Sequence, residues 1–230
     1  PFSIEDHLNR LRNSAKSLHI PLNYADEEIA EFVAELLSKN EIKEAGIRFL
    51  LTGGNSINNF SFEKPNFIIV LEDLPNYPNE YYTSGVKLVT YEYQREVAAS
   101  KTTDYLNALR LSPIIKNANA FDMLYYFRDE VLELTRNNIF IVKDKKIITP
   151  KENVLLGITR KHVIELAQRQ FLMEERKISL SELWSADEVF VTGTTKKIIP
   201  VSRIDDVIYS KSPGVITKKM MQLFNDLVND

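Results

Sequence analysis

The chain of 230 residues contains no cysteine, which excludes a disulfide-stapled scaffold, a thiolate metal site and a cysteine nucleophile. The same absence fits a reducing compartment, so we expect a cytoplasmic protein. No apolar run reaches the roughly 18 residues that a membrane helix needs, and no basic-then-apolar leader opens the chain, so we expect no membrane partner. A net charge of −3 lacks the basic excess of a nucleic-acid binder, so no nucleic-acid partner is expected either.

Several catalytic signatures are also missing. The chain has three histidines, and none stands at the spacing of a zinc site, so no metal is expected. The GxSxG, P-loop and GxGxxG patterns do not occur. Apolar residues at 44% and charged residues at 27% are typical of a globular protein, which excludes a disordered or low-complexity chain.

The apolar spacing predicts helices and strands in two successive parts of the chain. Helical periodicity follows Ser3 and Asp26, and two strands are then predicted at 46–52 and 67–71. Residues 74–79, with two prolines and two asparagines, are the best linker candidate. We therefore expect an α/β (α+β) fold in two domains, over residues 1–78 and 79–230. In the second domain, strands are predicted at 86–93, 121–127, 139–142, 147–149 and 188–192, and helices at 104–111, 158–171, 181–186 and 217–227.

Two short segments resemble anion-binding turns. Gly157 stands directly before a predicted helix, whose first N–H groups would be available to an anion, although Thr159 could instead cap that helix. The run Thr192-Gly-Thr-Thr195 closes a predicted strand with hydroxyl groups around a flexible glycine. Taken singly, each segment is also compatible with an ordinary polar turn.

Two ionisable residues suggest further chemistry. Lys101 follows small residues and precedes a predicted helix, where half-burial would lower its pKa and make the amine nucleophilic; the alternative is a surface lysine. Glu133 lies in the run Val131–Leu134, where burial would require a protonated partner; the alternative is a solvent-facing strand residue.

These signals occur together and in a fixed order, and in that respect the chain resembles the class IV aminotransferases, which are fold-type IV pyridoxal-phosphate enzymes. The family's lysine segment resembles residues 101–106, and its Glu-x-x-x-x-Asn-(apolar)-Phe stretch resembles residues 133–140. Its two phosphate-binding motifs resemble residues 155–160 and 187–195, and its His-x-x-Arg-Leu helix resembles residues 7–11. Relatives have a further segment before that helix, so we expect the first domain of this chain to lack its first strands.

The resemblance implies a small N-terminal α/β domain and a larger, barrel-like C-terminal α/β domain that bind pyridoxal 5′-phosphate in the cleft between them. Lys101 would hold the cofactor as a Schiff base and would move the α-proton of the substrate. Glu133 would pair with the pyridine nitrogen, and Tyr105 would contact the phenolic oxygen. Leu155 would lie against one face of the ring.

The resemblance also implies the remaining ligands. The cofactor phosphate would be bound by Arg10, Ile158, Thr159 and Thr194, and Thr195 would face the substrate. The implied reaction transfers an amino group from an amino acid of the branched-chain or D-amino-acid type to a 2-oxo acid, within a homodimer. An aminodeoxychorismate lyase and a non-catalytic interaction module of the same fold remain as alternatives, and the Thr-Gly-Thr-Thr run resembles the aminotransferase version more.

Overall fold

The computed structural model describes residues 2–41, 44–56, 58, 61 and 64–229. The chain divides into two compact units: one comprises residues 1–76 with 100–102, and the other comprises 77–99 with 103–230. The sequence-based division into 1–78 and 79–230 assigns residues 100–102 to the second domain, because a sequence pattern does not show that a segment packs with a distant part of the chain.

The first unit pairs two helices with a two-stranded sheet. Apolar residues at helical spacing supply a small core, which includes Leu8 and Ala15 from the first helix and Ile29 and Val33 from the second. The two strands are antiparallel. The elements are α1 (Ile4–Ser17), α2 (Asp26–Asn40), β1 (Gly46–Thr52) and β2 (Asn66–Glu72).

The second unit is built on a nine-stranded mixed sheet with the strand order β5-β4-β3-β10-β9-β6-β7-β8, and β11 pairs with β10. Its elements are α3 (Glu80–Thr83), β3 (Val86–Glu92), α4 (Leu106–Asn117), β4 (Asp122–Phe127), β5 (Glu130–Leu134), β6 (Asn138–Lys143), β7 (Lys146–Thr149), α5 (Ile158–Gln168), β8 (Leu172–Glu175), α6 (Leu180–Trp184), β9 (Glu188–Gly193), β10 (Lys197–Ile204), β11 (Val207–Ile208) and α7 (Val215–Asn229).

Two of the parallel pairs in this sheet follow from helical crossovers. β3 runs parallel to β4 through α4, and β7 runs parallel to β8 through α5, because only a long connection returns the chain to the same end of the sheet. Short connections make antiparallel pairs such as β6–β7 and β9–β10. The sheet curls into a half-barrel. The α/β class expected from the sequence is confirmed.

Both faces of the central strands are buried. Along β6, Ile139 and Ile141 pack into one apolar cluster, whereas Phe140 and Val142 pack into another. Since consecutive side chains of a strand point to opposite faces, a continuous apolar run fits a strand that is covered on both sides. The second cluster also contains side chains from α5 and α7.

Two helices of the second unit end at residues other than those expected from the sequence, and α3, β8, β10 and β11 were not expected from it. α4 continues through Pro113 to Asn117 instead of ending at 111. Pro113 lacks the N–H that would reach the Leu109 carbonyl oxygen, and the Ser112 hydroxyl donates to that oxygen instead (2.8 Å). α5 ends at Gln168, and the following β8 pairs with β7. No helix in the described ranges is long and apolar enough to cross a membrane.

Candidate active site

Glu133 lies on β5 with its side chain 7% exposed, and both of its carboxylate oxygens are hydrogen-bonded. Arg95 Nε and Nη2 donate to Oε1 (2.8 and 2.6 Å), and the Leu155 N–H donates to Oε2 (3.0 Å). Arg95 Nη2 also donates to the Ala98 carbonyl oxygen (2.6 Å). The buried reading of Glu133 therefore holds, and its positively charged partner is Arg95.

This ion pair fixes the direction of the Glu133 carboxylate. A carboxylate taken out of water is tolerated when a cation and hydrogen-bond donors replace its hydration. Here a guanidinium approaches one oxygen and a backbone N–H approaches the other, so rotation of the carboxylate breaks a charge-assisted bond. The result is a rigid acceptor site for a ligand that carries a positively charged N–H group.

The turn before α5 contacts Glu133, because the Leu155 N–H of this turn donates to the Glu133 carboxylate. Leu155 is half-buried, and Gly157 precedes the first helical residue in an extended conformation. Ile158 and Thr159 are buried at the start of the helix, and its first turn carries no acidic residue. The interpretation of Thr159 as the cap is wrong, because Gly157 occupies the N-cap position. No acidic side chain of the first turn therefore competes with an anion for the positive end of the helix dipole.

The turn between β9 and β10 carries the predicted hydroxyl groups. Thr192 is buried at the end of β9, and its Oγ1 has no hydrogen-bond partner among the described residues. Thr194 and Thr195 are exposed in the turn, which the Lys196 N–H closes by donating to the Gly193 carbonyl oxygen (3.1 Å). The Tyr77 hydroxyl lies 3.2 Å from the hydroxyl of Thr195.

Tyr105 stands directly before α4 and is half-buried. The Arg136 guanidinium lies 4.5 Å from the centre of its ring, in a cation–π contact. Arg136 belongs to the turn between β5 and β6, three residues after Glu133. The second unit therefore brings the Tyr105 ring to the turn that follows the buried carboxylate.

Asp122 and Tyr125 on β4 are buried polar residues that the sequence reasoning missed. Burial raises the pKa of Asp122, while hydrogen bonds from Thr135 Oγ1 (2.6 Å), the Met123 N–H (2.8 Å) and Asn137 Nδ2 (2.7 Å) oppose that shift. Burial, with the charge of Asp122 next, raises the pKa of Tyr125 to about 12, so its hydroxyl keeps its proton at neutral pH. The sequence signal that could have identified Asp122 is its position as a carboxylate at the start of an apolar strand.

Arg10 and Lys101 belong to the first unit. Arg10 lies on α1, and the backbone of Lys101 contacts the same helix. The Lys101 N–H donates to Ser14 Oγ (3.0 Å), and Ser17 Oγ lies 2.6 Å from Ser100 Oγ. Arg10, Ser14 and Ser17 are four and three residues apart, which places them on one face of α1. The sequence reasoning did not single out the two serines, although their spacing from Arg10 was the signal.

The surroundings of Lys101 differ from the half-buried position considered from the sequence. Lys101 is exposed, as is Asp104 after it. Lys101 and Arg10 lie in one unit, and Glu133, Leu155, Thr159 and Tyr105 lie in the other.

The residues of the second unit suit a flat, nitrogen-containing ring that carries a phosphate. Glu133 offers a fixed acceptor for a ring N–H. The half-buried Leu155 lies beside it, since its backbone N–H donates to the same carboxylate. The N-terminus of α5 and the hydroxyls of residues 192–195 offer donors for phosphate oxygens. Within the described residues, no group of three or more histidine, aspartate or glutamate side chains could hold a metal ion.

Comparison with known proteins places these residues in a family. A family model for class IV amino-transferases matches residues 1–204. A protein of Methanocaldococcus jannaschii, assigned by name to the branched-chain-amino-acid aminotransferases, is 35% identical over 98% of this chain and 82% of its own length. The D-alanine aminotransferase of Staphylococcus epidermidis is 29% identical over 99% of this chain and 83% of its own length.

A solved structure shows the same architecture. The branched-chain amino acid aminotransferase of Thermus thermophilus, crystallised with pyridoxamine 5′-phosphate, matches with a TM-score of 0.89 and 26% identity over 98% of this chain and 78% of its own. The fold-type IV architecture is thereby confirmed, and the family indicates pyridoxal 5′-phosphate as the cofactor. Because the family model spans most of the sequence and a relative exceeds 30% identity across nearly all of it, the chain belongs to the class IV aminotransferases.

Proposed function

We propose that this protein transfers an amino group from an amino acid of the branched-chain or D-amino-acid type to a 2-oxo acid, with pyridoxal 5′-phosphate as cofactor. The buried Glu133 carboxylate, held through both oxygens by Arg95 and by the Leu155 N–H, carries the proposal. When bound, the cofactor supplies electron withdrawal from the α-carbon of the substrate. Glu133 keeps a proton on the ring nitrogen, which strengthens that withdrawal.

Lys101 is the proposed catalytic residue. Its amine would hold the cofactor covalently and would serve as the base and acid for the α-proton of the substrate. The hydrogen bond from the Lys101 N–H to Ser14 Oγ fixes the backbone from which this side chain extends.

The remaining residues hold the cofactor and the substrate. A phosphate dianion is suited to the guanidinium of Arg10 and to the N-terminus of α5, where Ile158 and Thr159 supply N–H groups. Thr194 adds a hydroxyl. The Tyr105 hydroxyl would donate to the phenolic oxygen, the Leu155 side chain would pack against the ring, and Thr195 would face the substrate.

The substrate class rests on the relatives. One is assigned by name to the branched-chain-amino-acid aminotransferases and another is a D-alanine aminotransferase, so the two types are the leading candidates for this chain. A homodimer, the assembly that the family resemblance implies, is proposed as the working unit.

Cofactor attachment is tested first. The protein is incubated with pyridoxal 5′-phosphate, treated with borohydride to fix the bond, digested and analysed by mass spectrometry. We expect the cofactor on Lys101 and a loss of activity of about 10³-fold or more in Lys101→Ala. Lys16→Ala, which removes an exposed lysine of α1, serves as the matched control and should retain the label on Lys101. A label on another lysine contradicts the proposal.

The reaction is tested next with single amino acids. Holoprotein is mixed with one L- or D-amino acid and a 2-oxo acid, and the new amino acid is measured by chromatography. Amino transfer with branched-chain amino acids or with D-alanine supports the proposal, and the enantiomer that reacts sets the type. Release of pyruvate from aminodeoxychorismate without any amino transfer would instead identify the lyase.

A further inference from the structure

Asn138 is the first residue of β6, and its side chain contacts the turn before α5. Its Nδ2 donates to the Leu155 carbonyl oxygen (2.7 Å). Its Oδ1 lies so close to Gly157 that a Cβ at residue 157 would overlap it. Gly157 has φ −66° and ψ 146°, which any residue adopts, so space and not backbone conformation requires glycine here.

Asn137 makes the matching contact with the turn after β9. Its Nδ2 donates to Asp122 Oδ2 (2.7 Å), and its Oδ1 stands where a Cβ on Gly193 would overlap it. This Oδ1 is buried without a hydrogen-bond partner among the described residues. An unsatisfied buried oxygen costs free energy. Stability alone therefore does not explain why the Asn137 side chain is placed against Gly193.

The two asparagines therefore contact both of the turns that carry the proposed phosphate ligands. Asn138 contacts the segment that leads to Ile158 and Thr159, and Asn137 contacts the glycine that precedes Thr194. Consecutive residues of an extended chain point in opposite directions, which lets neighbouring side chains reach two separate segments. Asn138 also pairs with Thr192 in the β6–β9 ladder, so both turns are joined to the same end of β6, and the two amides add a side-chain contact to each turn.

We infer that Asn137 and Asn138 are positioning residues that hold the two turns at the separation a single phosphate group spans. This inference rests on the proposed function, because it concerns the phosphate of the same cofactor. The asparagines contact the turns through their side-chain amides. Loss of either amide lets one turn move, so the phosphate loses some of its donors while contacts to the ring are unchanged.

The first experiment compares pyridoxal 5′-phosphate with pyridoxal, which lacks the phosphate. Affinities of the full chain for both are measured by absorbance titration, for the wild type, Asn138→Ala and Asn137→Ala. We expect the preference of the wild type for the phosphorylated form to fall about tenfold in each variant, with the affinity for pyridoxal unchanged. Asn225→Ala, which removes a side chain that accepts from Lys197 Nζ (3.0 Å), is the control and should keep the full preference.

The second experiment measures the coupling between each asparagine and its glycine. Gly157→Ala should lower the urea midpoint and the phosphate preference in the wild type. In the Asn138→Ala background it should do so much less, because the overlapping oxygen is gone. Gly193→Ala in the Asn137→Ala background should behave in the same way.

The outcomes separate the inference from the proposed function. A wild type that binds no cofactor through Lys101 contradicts the function, and the inference with it. A wild type that binds the phosphorylated form preferentially, with asparagine variants that keep that preference, contradicts only the inference. Parallel losses of both ligands in a variant, or additive effects in the double variants, also overturn it, since they indicate a general structural role.

Discussion

The two units of this protein use the same kind of ion pair in different ways. In the first, Arg48 and Glu72 meet across β1 and β2 at 2.7 Å with side chains 55% and 38% exposed. In the second, Arg95 and Glu133 meet at 2.6 Å with side chains 20% and 7% exposed. Water competes with the first pair and hardly reaches the second, so only the second fixes a charge in a set direction.

The same contrast holds for the apolar cores. The first unit has a two-stranded sheet and helices whose buried apolar residues are few, whereas the second buries both faces of its central strands. In the second unit, Phe140 and Phe190 stack at 4.9 Å and neither is exposed. In the first, Phe49 and Phe67 stack at 6.0 Å and are half-buried. A rigid frame is therefore present where the buried carboxylate must be held.

The largest effect should come from the aromatic pair of the second unit. Phe140→Ala should lower the free energy of unfolding by about 4 kcal/mol, since it leaves a cavity in a closely packed core. Phe49→Ala should cost about 1–2 kcal/mol, because that side chain is only partly buried and makes fewer core contacts. Urea unfolding followed by circular dichroism measures both, and Trp184, the single tryptophan, reports the second unit by fluorescence. Equal losses would break the contrast between the cores.

The ion pairs should give the next largest difference. Glu133→Ala leaves the Arg95 guanidinium without its carboxylate and should cost about 3 kcal/mol of stability, with weaker cofactor binding. Glu72→Ala should cost less than about 1 kcal/mol, because Arg48 is exposed and is solvated by water. Urea unfolding at low and high salt compares the two variants. A strong salt effect on the Arg95–Glu133 pair would show that water reaches it.

The smallest effect concerns pH and Asp122. Because burial raises its pKa in the folded protein, the stability that Asp122 contributes is complete below its pKa in the unfolded chain and is lost as the pH rises through the folded pKa. The wild type should therefore lose stability relative to Asp122→Asn as the pH rises from about 4. Asp206→Asn, at a fully exposed position, is the control and should not change this slope. Parallel curves of unfolding free energy against pH for the wild type and Asp122→Asn would contradict a raised pKa of Asp122 in the folded protein.

Local sequence patterns predicted most elements of the second unit because they depend on neighbours a few residues apart. The strand at 188–192 and the start of α5 after Gly157 were predicted at or within one residue of their observed bounds. The extent of α4 past Pro113 was not, since a proline usually ends or kinks a helix, whereas here the helix continues to Asn117. β8 was not predicted either, because its pairing with β7 involves a strand that precedes α5.

The candidate site was predictable as a set of residue types and not as a set of contacts. The motif resemblance identified Glu133, but its partner Arg95 lies 38 residues away and carries no local signature. Asp122 and Asn137 were missed for the same reason, since their hydrogen bond joins the start of β4 to the turn before β6, 15 residues further along the chain.

The sequence by itself determined the alternation of apolar residues, the two glycine turns and the family to which the chain belongs. Only the tertiary structure decided that Arg95 neutralises Glu133, that each asparagine faces a glycine, and that Lys101 packs with the helix that carries Arg10. The physical reason is range. Periodicity and turn preference act within a few residues, whereas charge pairing and close packing act between segments that come together only when the sheet closes its core.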